Sequence, residues 1–177
     1  MREFSTPPHW IEGKPPPPDS EVPTVSTDDW HSCEEAGRLW IPDISHGLAI
    51  VGYNRLSRKG VAGHFKSVLG SEDRGKTSRD GFRRVLEAAF ELSRSPEATE
   101  LWLSGGAPFG SEEEDDLITR EREAAESLAA SIIHQRVGVF EPDQLTVAWL
   151  GRRRVADIAL DCRLGSVAVI NRYETLP

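Results

Sequence analysis

The chain has 177 residues, of which 38% are hydrophobic, and it carries a formal net charge of −8. This length suits one domain with a single sizeable core, and the negative charge disfavours a nucleic-acid partner because phosphates would be repelled. No apolar run approaches the ~20 residues of a membrane-spanning helix, so we expect no membrane insertion. Cys33 and Cys162 are the only cysteines. They lack metal-ligand spacing and no apolar leader precedes them, so we expect a reduced, cytoplasmic protein with no metal and no cofactor.

Residues 1–29 hold most of the prolines, four of them in a row at 15–18. Such a composition favours polyproline II and offers too little apolar surface for a core. We therefore expect a disordered arm over 1–29, whose removal leaves the melting temperature nearly unchanged, and one domain over 30–177. Trp10 and Ile11 are apolar residues within this polar arm, so a docking role for the arm is the alternative.

Cys33 follows His31 by two positions in an acidic surrounding. A histidine at this spacing could activate a thiol nucleophile. The neighbouring carboxylates disfavour a thiolate, however, so a buried structural thiol is the favoured interpretation.

The segment 48–51 is an unbroken apolar run, which predicts a strand that is covered on both faces. The polar turn 55–60 ends on a glycine and predicts a hairpin. The return strand 61–65 ends at His64. Gly63 would let another backbone approach closely beside this histidine, which makes the strand end a candidate site.

Residues 70–77, GSEDRGKT, match a phosphate loop literally, but two carboxylates would point into the phosphate cradle. Nucleotide binding therefore stays a minor alternative. Ser78 is predicted to cap a helix. The apolar stripe of that helix comprises Phe82, Val85, Leu86, Ala89 and Phe90.

After Pro96, the segment 100–103 predicts a strand, followed by the glycine-rich loop 104–110. Ser111 and Glu114 predict a capping box for a longer second helix. Its predicted buried face comprises Leu117, Ile118, Ala124, Ala125, Leu128, Ala129, Ile132 and Ile133. Three short strands over 144–150, 155–160 and 166–170 are predicted to form a meander, with the arginines at 152–154 solvated on its first turn.

The segments 45–51 (SHGLAIV) and 61–65 (VAGHF), together with the glycine-rich loop, resemble the core of the chemoreceptor glutamine deamidases, the CheD family. In that family a strand supplies a cysteine nucleophile and a following turn supplies its histidine base. The family's threonine, cysteine and histidine correspond by position to Ile41, Gly47 and His64, so only the histidine is present. The resemblance implies an α/β fold, an α+β sandwich of mixed β-sheets with two main helices, shared with deamidating necrotizing toxins.

The resemblance also implies a site and a partner. His64 is the candidate catalytic residue of a degenerate site. A protein partner is expected, with a helical receptor or signalling protein as its class. The candidate binding residues are Ser45, His46, Gly47, Gly63, Phe65, Gly105 and Gly106.

Gly47 has no side chain, so thiolate attack on a glutamine amide lacks its nucleophile. The leading hypothesis is a catalytically inactive CheD-like domain that acts as a binding or regulatory module in chemosensory-type signalling. One alternative is an active protein-glutamine deamidase in which Cys33 or Ser45 is a displaced nucleophile and works with His64. Another is a scaffold that is recruited through the proline-rich arm.

Overall fold

Eight strands and two α-helices make up the described part of the chain, which comprises residues 22–70, 75–108, 110–139, 143–152 and 154–173 of a computed structural model. The strands are β1 (Asp29–Cys33), β2 (Arg38–Ile44), β3 (Leu48–Asn54), β4 (Lys59–Phe65), β5 (Thr99–Gly105), β6 (Leu145–Trp149), β7 (Arg154–Asp161) and β8 (Ser166–Tyr173). The helices are α1 (Gly75–Glu91) and α2 (Glu112–Val137), and a short 3-10 helix covers Pro96–Ala98.

The strands form two sheets. The larger has the order β1-β4-β3-β5-β6, in which β5 and β6 are parallel and the other neighbours antiparallel. The smaller is antiparallel with the order β2-β7-β8. An α/β fold of mixed sheets with two helices is thereby confirmed.

The five-stranded sheet is the middle layer. Successive side chains of a strand point to opposite faces, so Ile50 belongs to the apolar cluster under the helices and Val51 to the cluster that faces the three-stranded sheet. The apolar run 48–51 is therefore covered on both faces, as predicted. The predicted hairpin is also confirmed, with β3 and β4 joined by the turn at 55–58.

Helix α1 begins at Gly75, so the predicted helix cap at Ser78 is wrong. The Ser78 hydroxyl instead donates to Asp28 Oδ1 at 2.6 Å and accepts from Ser67 N at 3.3 Å. The predicted apolar stripe is buried throughout. Residues 71–74 of the phosphate-loop match lie outside the described residues.

The predicted capping box of α2 is confirmed: Ser111 Oγ accepts from Glu114 N, and Glu114 Oε2 accepts from Ser111 N. The predicted face is buried at Ala125, Ala129, Ile132 and Ile133. Leu117 is 45% exposed, so its place on that face is wrong, because the N-terminal turns of α2 are turned to solvent.

The predicted meander of the last three strands is wrong. β6 pairs in parallel with β5 in the larger sheet, and only β7 and β8 form a hairpin. The connection at 150–153 therefore carries the chain from one sheet to the other. Arg152 is exposed there, as expected, and its Nη2 donates to Gly110 O at 2.7 Å.

The predicted arm boundary at residue 29 lies too far along the chain. Val25 is buried in the core, and its amide donates to Trp40 O at 2.8 Å. Thr24 pairs in parallel with Trp40, so residues 23–25 run along the edge of β2. The rest of the predicted arm, residues 1–21, lies outside the described residues.

Cys33 and Cys162 form a disulfide, so the expectation of reduced thiols is wrong for this pair. Cys33 ends β1 in the larger sheet and Cys162 follows β7 in the smaller one. The packing of the two sheets brings together residues that are 129 positions apart in sequence.

Candidate functional site

His64 lies near the end of β4 and is buried, with both ring nitrogens engaged. Nε2 lies 2.8 Å from the His46 carbonyl oxygen, which can only accept, so Nε2 carries the proton. Nδ1 is then an acceptor and faces Thr27 Oγ1 at 3.4 Å. The imidazole thus ties β4 to the turn before β3 and to the segment before β1.

Burial lowers the pKa of His64, against the smaller opposing effects of the His46 carbonyl and the Asp28 carboxylate. The ring is therefore neutral near pH 7, in the tautomer that its hydrogen bonds require. A general base must have a nitrogen that can take up a proton from the nucleophile. Here Nε2 is already protonated and donates to a backbone carbonyl, so Nδ1 is the one basic nitrogen of the ring, and it faces Thr27 rather than Gly47.

Asp28 reinforces this arrangement. Its amide donates to His64 O, and its Oδ1 accepts from Lys66 N at 3.0 Å and from Ser78 Oγ. Burial would raise the pKa of Asp28, but the hydrogen bonds from Ser78 and Lys66 outweigh it and leave that pKa below its ordinary value. Asp28 is thus an ionised clamp between the end of β4 and helix α1.

Gly47, Gly105 and Gly106 meet where β3 begins and β5 ends, and we call them the glycine junction. All three have a positive φ, with Gly47 at 81°. The Gly106 amide donates to Gly47 O at 2.7 Å, and a Cβ on Gly105 would meet the same oxygen at 2.5 Å. A Cβ on Gly47 would overlap the carbonyl oxygen of Phe65. The position that corresponds to the family's cysteine therefore has no room for a side chain.

Arg122 of α2 stabilises the glycine junction through hydrogen bonds to backbone carbonyls. Sequence reasoning missed this role. Its Nε and Nη2 both donate to Gly106 O, and Nη2 also donates to Leu150 O at 2.7 Å. Its guanidinium carbon lies 5.7 Å from the Trp149 ring centroid. An arginine on a helix gives no sequence signal for such a role, because the carbonyls it binds are distant in the chain.

The other residues of the degenerate site are not arranged for nucleophilic attack with His64 as the base. Ile41 is buried between the sheets and offers no hydroxyl. Ser45 Oγ lies 3.0 Å from Nδ1 of the exposed His46, so its hydrogen bond goes to that ring. Cys33 pairs with Gly60 in the register in which Asp29 pairs with His64, which places it about 13 Å along the sheet from the histidine.

Gly63 and Phe65 serve helix packing. A Cβ on Gly63 would meet the Phe65 ring at 2.6 Å, and one on Gly81 of α1 would meet it at 2.5 Å. The buried Phe65 ring packs edge-on against Phe82 at 5.9 Å between centroids. These glycines let α1 close over the phenylalanine, so the two predicted binding residues lie beneath the helix layer.

Glu121 of α2 is a buried carboxylate that sequence reasoning also missed. Its oxygens accept from Ser67 Oγ, from Val68 N at 2.6 Å and from Leu69 N at 3.1 Å. The three donors belong to the loop that follows β4. Glu121 therefore fixes the path of the chain immediately after His64.

A cleft opens beside this closed region, between β1 and α1, and we call it the β1–α1 cleft. Its volume is about 270 Å³. Trp30 lies on the edge strand β1 and is 37% exposed. The lining residues are Asp28, Asp29, Trp30, Phe65, Asp80, Gly81 and Arg84. The lining carries three carboxylates and one guanidinium, and Asp28 is paired with Lys66 Nζ at 3.4 Å, so Asp29 and Asp80 give the cleft its acidic character.

Comparison with known proteins finds neither a family model nor a curated protein that matches this chain. The resemblance to the chemoreceptor deamidases therefore stays a prediction. Neither helix among the described residues is long and apolar enough to cross a membrane. In the same part of the chain, no three His, Cys, Asp or Glu side chains are grouped as metal ligands.

Proposed function

We propose that this domain is a non-catalytic binding module with a CheD-like fold, which takes a protein partner. The observation that carries the proposal is the closed glycine junction beside His64. The backbone at Gly47 excludes the side chain that glutamine deamidation would need. The Nε2 proton of the neutral imidazole is committed to His46 O, so the ring nitrogen nearest the Gly47 position acts as a structural tie and cannot take up a proton there.

The β1–α1 cleft supports a location for the partner. Asp29 and Asp80 place carboxylates at its mouth, and Trp30 presents a partly exposed ring. Lysine and arginine side chains can pair with carboxylates and stack over an indole. The expected partner is therefore a basic segment, and the resemblance adds that it belongs to a helical receptor or signalling protein.

The test uses helical peptides that bear glutamine and lysine, presented to the full chain. We expect binding, measured by anisotropy of labelled peptides, that weakens at least threefold in Asp80→Lys, and no ammonia release above the peptide-only background. The control is Glu123→Lys, which makes the same charge change on the exposed side of α2 and should leave binding unchanged. Ammonia release that His64→Ala abolishes would overturn the proposal.

A second candidate is hydrolysis by a hydroxyl nucleophile. Thr27 Oγ1 is the side-chain oxygen that faces His64 Nδ1, and Ser45 Oγ contacts His46. These two contacts favour hydroxyl chemistry over the disulfide-bonded Cys33. If any turnover is found, Thr27→Val and Ser45→Ala assign it: the variant that loses activity names the nucleophile.

A further inference from the structure

Strand β6 forms one edge of the five-stranded sheet, and no strand among the described residues pairs with its outer side. Leu101 N donates to Gln144 O at 2.8 Å, and Leu150 N donates to Gly105 O at 2.9 Å. Because alternate residues face the neighbouring strand in a parallel ladder, the even-numbered positions of β6 bond to β5. The odd-numbered positions point their amides and carbonyls away from the sheet, and they are Leu145, Val147 and Trp149.

This edge differs from others in the fold because it is apolar and open to solvent. Its sequence is LTVAW, every residue of it keeps part of its surface exposed, and Val147 is 37% exposed. Edge strand β1 carries Asp29 and His31, and Thr24 pairs along the edge of β2. Charged residues and covering segments are two of the means by which proteins keep sheet edges from pairing. The strand β6 has no charged residue, and no described segment pairs along its outer side.

The face of β6 beneath the helices carries a row of apolar side chains. Leu145 and Trp149 pack against the helix-side cluster, and the alternation of side chains places Val147 between them on the same face. The Trp149 indole N–H donates to Glu126 Oε1 at 2.7 Å, which holds the ring in this row. A second strand beside β6 would set its own apolar side chains against the row, and such cross-strand pairs stabilise a sheet.

We propose that this edge is the interface between two copies of the chain, which pair through β6 in antiparallel orientation about a two-fold axis at Val147. In this register Val147 faces the same residue of the second copy, and Leu145 faces the second copy's Trp149. The outward amides and carbonyls of all three residues then bond across the edge. The two five-stranded sheets become one continuous sheet, and the β1–α1 clefts remain open at its two ends. This interface does not rest on the proposed function.

The charges that flank β6 favour a second copy in this orientation. Asp143 precedes the strand and Arg152 follows it, and both are exposed. The Arg152 guanidinium also contacts Asp115 Oδ2 at 3.5 Å, but the side chain is 59% exposed, so a second carboxylate can reach it. Antiparallel pairing about Val147 brings Asp143 beside Arg152 of the second copy, and the two-fold axis repeats this contact at the other end. Parallel pairing would instead bring like charges together at both ends.

Sedimentation equilibrium of the full chain tests the interface, at about 0.15 M salt so that the net charge of −8 is screened. We expect the mass of two chains at about 0.1 mM protein. Val147→Lys should have the mass of one chain, because it would place two ammonium groups opposite each other. The matched control is Leu56→Lys in the β3–β4 turn, where the leucine is 68% exposed and the dimer should persist. A parent with the mass of one chain, or Val147→Lys with the mass of two chains, would overturn the proposal.

Amide hydrogen exchange of the parent provides a test that needs no variant. The outward amides of Leu145, Val147 and Trp149 should exchange at least about tenfold more slowly in the dimer than in the diluted, monomeric chain, because only the dimer bonds them. The amides of Thr146 and Ala148 face β5 and should be protected equally at both concentrations. Outward amides that exchange at the same rate at both concentrations would overturn the proposal.

Charge reversal tests the orientation of the two strands. Asp143→Arg and Arg152→Asp should each weaken dimerisation about two- to tenfold, because like charges then meet at both ends of the interface. The double variant restores opposite charges at both ends and should recover most of the parent's dimer affinity. A double variant that dimerises more weakly than either single variant would overturn the antiparallel arrangement.

Discussion

The glycine junction and the β1–α1 cleft lie close to the same histidine but are built from opposite kinds of residue. At the junction, the Gly47 and Gly106 carbonyls accept from backbone and arginine donors within the fold, and no side chain fits at Gly47. In the cleft, Asp29 and Asp80 are exposed and a volume of about 270 Å³ is open. The glycine junction therefore stabilises the fold, whereas the β1–α1 cleft offers exposed charge to another molecule.

This difference shows why a matching position is weaker evidence than matching geometry. His64 has the sequence position of a catalytic base, but burial and two hydrogen bonds give it a structural role. The residues that offer charge to a partner come from β1 and α1, neither of which belongs to the resembling motifs. Each prediction below tests one side of the contrast.

The largest effect is expected for Gly47→Ala. A Cβ would overlap the Phe65 carbonyl and the backbone has φ of 81°, so we expect a loss of about 3 kcal/mol or more of unfolding free energy. Gly138→Ala is the matched control, since Gly138 has φ of 84° but nothing within 4 Å of the added Cβ. It should lose only about 1 kcal/mol from backbone strain. Equal losses in urea unfolding would show that the junction is not tightly closed.

The next largest loss of unfolding free energy is expected when the buried carboxylate of Glu121, which binds the loop after β4, is removed. Glu121→Ala should cost about 2–4 kcal/mol, because Ser67 Oγ, Val68 N and Leu69 N lose their acceptor. Glu121→Gln keeps one acceptor oxygen and should lose less. Glu123→Ala, at an exposed position of the same helix, should stay within about 0.5 kcal/mol. A small loss in Glu121→Ala would contradict the anchoring role.

Replacing His64 should have a smaller effect that depends on pH. Burial lowers the pKa of His64 from 6.5, so below pH 6.5 the unfolded chain takes up a proton more readily than the folded chain. The stability contribution is complete above pH 6.5 and is lost as pH falls toward the lowered pKa. His64→Gln should cost about 1–2 kcal/mol at pH 7 and flatten this part of the stability profile. His31→Gln, at a partly exposed site, is the control. An unchanged profile in His64→Gln would contradict the account.

The smallest effect on stability is expected in the cleft. Asp80→Lys changes an exposed charge and should stay within about 0.5 kcal/mol of the parent in urea unfolding. It should still weaken the binding of lysine-bearing helical peptides, because the cleft becomes less acidic. If Asp80→Lys lowers the unfolding free energy well beyond this limit, or binds those peptides as well as the parent does, the proposed difference between the glycine junction and the cleft is contradicted.

Sequence reasoning predicted the local features of the fold. The β3–β4 hairpin follows from an apolar run and a polar turn, and the α2 capping box from Ser111 and Glu114. Sequence reasoning failed where the structure depends on contacts between segments that are distant in the chain. The parallel pairing of β6 with β5 and the Cys33–Cys162 bond both depend on packing between remote segments, which local patterns do not encode.

The candidate site was predicted only in part. Gly47 and His64 do lie together, joined through the His46 carbonyl. Gly63 was interpreted as a site residue because small residues permit close approach, but the group that approaches is the Phe65 ring. Sequence alone gives no sign that Arg122 and Glu121 face inward from α2, since both are ordinary residues of a charged helix.

The protonation state of His64 tests the central claim most directly, because a proton on Nε2, donated to His46 O, leaves no basic nitrogen of this ring facing Gly47. Nitrogen-15 chemical shifts of the histidine rings, followed between pH 8 and pH 5, report both tautomer and pKa. The account predicts that His64 is neutral with its proton on Nε2 and takes up a second proton only below its ordinary pKa of 6.5. A His64 ring with its proton on Nδ1 at neutral pH, or one that titrates at or above pH 6.5, would contradict it.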